Sequence, residues 1–379
     1  MIYLDNAATS WKKPETVYEE SGRALRECSG NPGRSGHKIS LAAGQIAADA
    51  RLMCARLFGA ADPSEISFSL NATSALNTAI FGTVRPGSHI ITSPLEHNSV
   101  ARPLEYLRSL GCSLTVLPAS VDNGVDPEDV RNAVRPDTSL IVMTHISNVT
   151  GTVNDIASVG SVAQEKGVPF LVDAAQSAGT RSIDVKRDHI DMLAFPGHKS
   201  LLGPQGTGGL YVKSGLTVRP LTRGGTGSFS ELLTQPEQMP DRLESGTLNV
   251  PGLAGLSAGI RFILETGIDR IAEKEKTLRY RLYEGLAGIP LVTVHAPHPG
   301  FDAGNVLSFT VRGMESSDIA AILDSAFDIA VRAGLHCAPY AHRMLGTIAG
   351  GGTVRVSPNY FNEIAEIDFF TDAVREIAG

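Results

Sequence analysis

Residues 194–213 read AFPGHKSLLGPQGTGGLYVK. The run begins on the end of one apolar strand-like segment, DMLAFP, and finishes on another, GGLYV. Between them lie glycines, prolines and small residues, with one lysine, Lys199, directly after His198. Such a stretch has little side chain from which to build a core, and it lets a ligand come close to the backbone. A lysine desolvated there, beside another cation, has a depressed pKa and is nucleophilic at neutral pH, which is what capture of an aldehyde requires. A surface lysine in a turn is the plain alternative, and the surrounding chain decides between them.

Outward from this stretch, short apolar runs alternate with helical patterns between about residues 64 and 213. EISFSL, HIITSP, SLTVLP, SLIVMTHI, PFLVDAA, DMLAFP and GGLYV read as strands. TSALNTAIFGTV, PEDVRNAV and IASVGSVAQEKG read as helices between them. This alternation predicts a doubly wound α/β layer on a mainly parallel sheet. Residues 217–250 are loop-rich, with TRGGTGS and LESGTLNVPG. Helical patterns follow over 252–266 and 268–287. Beyond them NVLSFTV, DIAVRAG and GTVRVSP read as strands and IAEIDFFTDAVREIA as a closing amphipathic helix. The expected organisation is a large α/β domain over 15–255 and a smaller α+β domain built from 1–14 plus 256–379.

Bulk properties narrow the classes. The 379 residues are 42% hydrophobic and 19% charged, enough for a sizeable core. A net charge of -7 with no basic run makes nucleic acid a poor partner. The opening MIYLDNAATS has no secretory pattern, and no window has the apolar length of a membrane span. Cys28, Cys54, Cys112 and Cys337 are scattered, with no C-x-x-C pair, which fits a reducing cytoplasm better than a disulfide framework. Neither G-x-G-x-x-G nor G-x-x-x-x-G-K-[ST] occurs in a nucleotide-binding context. A zinc site from His336, Cys337 and His342 has no second ligand cluster to support it, so no metal is expected.

Ligands on doubly wound sheets sit beyond the carboxyl ends of strands, so the residues that follow each strand matter most. Thr73 and Ser74 stand where a helix begins, as ordinary capping residues or as a phosphate cradle. His97 follows HIITSP, as a loop histidine or as a flat ring for a flat ligand. Asn148 sits at a turn after SLIVMTHI. Asp173 ends a run that reads as a fully buried strand, where a carboxylate needs a cationic or hydrogen-bonding partner. Gln176 lies three residues on.

Together these residues, in this order, resemble the fold-type I pyridoxal phosphate enzymes, and specifically the class V aminotransferase group. YLDNAATS, GHKSLLGPQGTGGLYV, LESGTLN and RAGLHCAP resemble its cysteine desulfurase branch, and the resemblance covers essentially the whole chain. It implies that Lys199 holds pyridoxal phosphate covalently and shuttles the substrate Cα proton. Asp173 would pair with the protonated ring nitrogen, His97 stack on the ring and Gln176 bond the phenolic oxygen. Thr73, Ser74 and His198 would hold the phosphate, helped by Thr247 from a second subunit of a homodimer. Asn148 and Arg355 would take the substrate carboxylate, Arg355 through a bidentate contact. Cys337 would accept sulfur from L-cysteine, leaving L-alanine and a persulfide.

The pattern departs at Pro196, where the resembling enzymes commonly have a hydroxyl residue. One phosphate contact is lost there, with Thr226 of GGTGS the expected replacement across the subunit interface. Arg355 follows Cys337 closely, so the cysteine loop is short and a dedicated acceptor protein is expected to come to the site. The neighbouring alternatives are a selenocysteine lyase and a transaminase or epimerase that dispenses with Cys337.

Overall fold

The structure, a computed structural model, describes residues 1–33 and 36–379. A two-residue strand β1 (Ile2–Tyr3) precedes helices α1 (Glu15–Glu27) and α2 (Lys38–Phe58). The alternating segment follows as β2 (Ile66–Ser69), α3 (Ala72–Thr83), β3 (His89–Thr92), α4 (Asn98–Ser109), β4 (Ser113–Val116), α5 (Pro127–Ala133), β5 (Thr138–Thr144), α6 (Ile156–Lys166), β6 (Phe170–Asp173), β7 (Met192–Pro196) and β8 (Gly208–Val212). A long loop leads to α7 (Val250–Thr266) and α8 (Ile268–Ala287). The chain closes with β9 (Val292–His295), β10 (Leu307–Val311), α9 (Ser316–Phe327), β11 (Ile329–Ala330), β12 (Arg332–Gly334), α10 (Pro339–Leu345), β13 (Thr353–Val356) and α11 (Ile364–Ala378).

Strands β2 to β8 form one seven-stranded sheet in the order β2-β8-β7-β6-β5-β3-β4. All neighbours are parallel except β8, which runs against both β2 and β7. The sheet is therefore α/β and mainly parallel, as the alternation predicts. Both of its faces are covered, so β5, β6 and β7 are buried at every residue and read as continuous apolar runs. Successive side chains of β7 serve opposite cores: Leu193 and Phe195 pack with α2, α6 and α7, while Met192 and Ala194 pack with α3 and α4. Helix α7 runs across residue 255 and sends Leu253, Leu256, Ile260 and Ile263 into the first of these cores.

A second sheet, β12-β13-β10-β9, is antiparallel throughout. Its core joins Phe309, Val354 and Val356 to Leu278 and Leu282 of α8 and to Phe370 of α11. The chain's first residues belong to this layer, since β1 pairs in parallel with β11 and Asp5 bridges to Ser357. Between β3 and β5 the order of strands reverses direction along the sheet, and that crevice faces the second layer. Among the described residues, no helix is long and apolar enough to cross a membrane, and no group of three or more His, Cys, Asp or Glu side chains is arranged to hold a metal ion.

Candidate active site

A cavity of about 210 Å³ lies beyond the carboxyl ends of β3, β5, β6 and β7. It gathers Thr73, His97, Asn148, Asp173, Gln176, His198, Lys199 and Arg355, eight of the residues singled out above. Each arrives by local logic. Thr73 opens α3, where Asn71 caps the helix by accepting from Ser74 N at 2.9 Å. Ser74 itself stands just outside the lining. His97 caps α4, its Nδ1 accepting from Ser99 N at 3.1 Å. Asp173 is the last residue of β6, and Lys199 emerges just after β7.

The electrostatics loosen the hold of a buried lysine on its proton, opposite a buried acid. Burial lowers the Lys199 pKa from 10.5 to about 8; Asp173 opposes that fall, and Arg355 and Arg332 reinforce it. Burial raises the Asp173 pKa, with a backbone hydrogen bond from Ala175 N (2.9 Å to Oδ1) and the Lys199 charge pulling the other way. Burial also takes His97 down to about 3, so its ring is neutral, with Nδ1 an acceptor and the proton on Nε2. His198 falls to about 4 for the same first reason, and its Nδ1 lies 3.1 Å from Thr9 Oγ1. A flat neutral ring, a hidden carboxylate and a suppressed ammonium in one cavity are the conditions under which a lysine acts as a nucleophile.

At the other end of the cavity Arg355 is only 1% exposed. Its Nη2 pairs with Asp5 Oδ1 at 2.7 Å, its Nη1 donates to the Asn148 carbonyl at 3.2 Å, and its Nε is buried without a partner. Asn148 donates from Nδ2 to His336 O at 2.8 Å and leaves its buried Oδ1 unpartnered. Two polar atoms are thus held unsatisfied beside each other's residues, which is costly without a ligand.

Cys337 lines an adjoining cleft of about 460 Å³ that shares Thr73, His97 and Ser99 with the first cavity. His336 and Cys337 both take left-handed backbone, with φ of 47° and 57°, a conformation costing ~1–2 kcal/mol for each non-glycine residue. The turn is held by Asn148 on the His336 carbonyl and by Asn98 N on the Cys337 carbonyl at 2.6 Å. Strain of this kind, overdetermined by its surroundings, accumulates at functional sites. The thiol accepts from Arg332 Nη2 at 3.3 Å.

Two of the expected residues stand apart within one chain. Thr247 is exposed on the loop before α7. Thr226 lines a separate cleft over residues 223–236, its Oγ1 donating to Ser228 O at 2.9 Å. Other residues of the site went unassigned in the sequence. Arg332 stands opposite Arg355 across the β12–β13 pair and lines the cavity. Asp5 neutralises Arg355. Ser99 bridges Thr73 Oγ1 (2.7 Å) and His97 Nδ1 (2.8 Å). The backbone of Ala7 accepts from Gln176 Nε2 at 3.1 Å. The available signals were the YLDNAATS motif and the arginine five residues before Cys337. Pro196, the last residue of β7, lines the cavity and supplies no donor.

Comparison with known proteins identifies the family and the fold. The family model described as aminotransferase class-V matches residues 2–370. A probable cysteine desulfurase of Methanothermobacter thermautotrophicus is 35% identical over all of this chain and 95% of its own length. The apo structure of cysteine desulfurase from Thermococcus onnurineus NA1 superposes with a TM-score of 0.93 at 34% identity, covering 100% of this chain and 94% of that one. The cysteine desulfurase CsdA (S-sulfonic acid) from Escherichia coli gives 0.87 at 30% identity, covering 99% and 94%.

Proposed function

The chain belongs to the aminotransferase class-V family, and from that premise we propose that it is a cysteine desulfurase that uses pyridoxal phosphate, moves sulfur from L-cysteine to Cys337 and leaves L-alanine. The observation that carries this reading is the placement of Lys199, Asp173 and His97 in one cavity whose neighbouring cleft, sharing His97, holds Cys337. The residues present fit the cofactor. Asp173 keeps one carboxylate oxygen free of protein hydrogen bonds for a ring N–H, the neutral His97 ring offers a flat face, and the start of α3 with Thr73 suits a phosphate.

When bound, pyridoxal phosphate supplies an electrophilic carbon for the amine of the substrate and a protonated ring that accepts the electron pair released at Cα. The chain's residues do the rest. Lys199, which gives up its proton around pH 8, takes and returns the Cα proton. Asp173 keeps the ring nitrogen protonated by charge pairing in a buried place. Arg355 orients the substrate carboxylate through its unpartnered Nε–H, and Asn148 through the second N–H of its Nδ2. Thr73, Ser74 and His198 hold the phosphate. Arg332, donating to Cys337 Sγ, holds the sulfur at the edge of the cleft. As a thiolate, Cys337 attacks the substrate sulfur; the S–S bond forms, the Cβ–S bond breaks, and its electron pair leaves with the carbon fragment, which is protonated to alanine.

Thr226 and Thr247 serve the phosphate of a partner subunit in a homodimer, since neither reaches the cavity of its own chain. The sulfur on Cys337, held in a short turn, passes to an acceptor protein that comes to the cleft. The test is to load the purified protein with pyridoxal phosphate, add L-cysteine and a thiol reductant, and quantify alanine and sulfide together. Equal amounts of the two support the reading. Formation of a keto acid in place of alanine, or no alanine at all, overturns it.

A further inference from the structure

Glu96 is fully buried, between β3 and α4, directly before His97. Among the described residues no lysine or arginine forms an ion pair with it. Its Oε1 accepts from Ser93 Oγ at 2.5 Å and from Thr144 N at 2.9 Å, and its Oε2 has no partner. Ser93 belongs to the turn that leads to His97. Thr144 is the last residue of β5 and lies opposite Asp173 in the β5–β6 ladder, while His145 N donates to the Asp173 carbonyl at 3.0 Å. One carboxyl oxygen therefore ties the turn carrying His97 to the strand pair carrying Asp173. Burial, reinforced by the Asp173 charge, takes the Glu96 carboxyl up to about 8, although its hydrogen bonds pull the other way. At neutral pH it is mostly protonated and serves as a neutral acceptor, which spares the fold the cost of a lone buried charge.

We propose that Glu96 is a positioning residue, bracing the His97 turn against the strand that presents Asp173 so that the two keep their spacing on either side of the cavity. This rests on the functional reading above for its kinetic consequence, and stands on geometry alone for the brace itself. A glutamine in its place offers the same carbonyl oxygen at the same reach, and alanine offers none.

The test compares wild type, Glu96→Gln and Glu96→Ala in two arms. In the first, amide hydrogen exchange is followed on the cofactor-free proteins. Glu96→Ala should speed exchange of the Thr144 and Ser99 amides about tenfold, the scale of one lost buried hydrogen bond, and Glu96→Gln should leave both near wild type. In the second arm, on the loaded enzyme, Glu96→Ala should lower kcat with L-cysteine about tenfold and leave KM within about threefold, because Arg355 and Asn148 are untouched; Glu96→Gln should restore kcat. If Glu96→Ala does not fold, Glu96→Met, which fills the volume without an acceptor, takes its place in both arms. Unchanged exchange at Thr144 and Ser99 in the alanine or methionine variant overturns the brace, and so does a Glu96→Gln protein as impaired as Glu96→Ala. If the exchange pattern appears as expected while wild type releases no alanine, the brace is upheld and only the functional reading fails.

Discussion

Replacing Lys199 by methionine should stabilise the cofactor-free protein at neutral pH, although it removes the residue on which the reaction depends. The Lys199 pKa falls from 10.5 to about 8, chiefly through burial. At ~1.4 kcal/mol per pH unit this corresponds to about 3 kcal/mol of cost for folding with a charged lysine there. Methionine keeps the stem and removes the charge. It also takes away the cation facing Asp173, whose carboxyl is already pushed upward by burial, so the net gain should be about 1–2 kcal/mol. The pH dependence follows from linkage. The folded-state pKa lies below the unfolded one, so between pH 8 and 10.5 the unfolded chain binds the extra proton, and wild type gains stability as pH rises through that window. The advantage of Lys199→Met is complete below pH 8 and shrinks toward pH 10.5. Urea melts of cofactor-stripped proteins at pH 7 and pH 10 read both effects. A wild type more stable than the variant at pH 7, or a gap that is the same at both pH values, would refute the assignment of a desolvated, suppressed ammonium.

Two further perturbations bear on the rest of the site. Arg355→Ala should raise KM for L-cysteine by roughly 30-fold or more, on the order of the 2–5 kcal/mol that a desolvated charge-assisted contact carries, with cofactor still bound; steady-state kinetics beside the visible absorbance of the cofactor check it, and an unchanged KM moves the carboxylate site elsewhere. Sedimentation at assay concentration should show a dimer, and Thr247→Ala should weaken cofactor retention. An active monomer contradicts the sharing of residues between subunits.

Strands β5, β6 and β7 of the main sheet were legible because strands buried on both faces read as unbroken apolar runs, bounded by turns. Helix α4 and strand β9 were not. Pro103 interrupts the helical pattern of α4, and β9 is short and only partly buried. Asp173 could be found because the end of a buried strand is a costly place for a carboxylate, and Lys199 and His97 because they follow strands of the same sheet. The ion pair between Asp5 and Arg355 joins residues 350 positions apart, and no local pattern announces it. The place of Arg332 beside Arg355 comes from the pairing of β12 with β13. Nothing in the local pattern around Glu96 marks it; the packing of its turn against β5 reveals a buried carboxyl. Thr226 and Thr247 lie outside the cavity of their own chain, so the part proposed for them needs a second subunit.

A desulfurase of this kind is defined by which sulfur atom receives the transferred sulfur. Loaded enzyme is mixed with an equivalent of L-cysteine, without reductant or acceptor, quenched with an alkylating reagent and digested for mass spectrometry, with alanine measured in the same sample. The peptide containing Cys337 should carry one additional sulfur in proportion to the alanine formed, those containing Cys28, Cys54 and Cys112 should carry none, and Cys337→Ser should yield neither product. Added sulfur on one of the three buried cysteines, or alanine formed at the wild-type rate by Cys337→Ser, would contradict it.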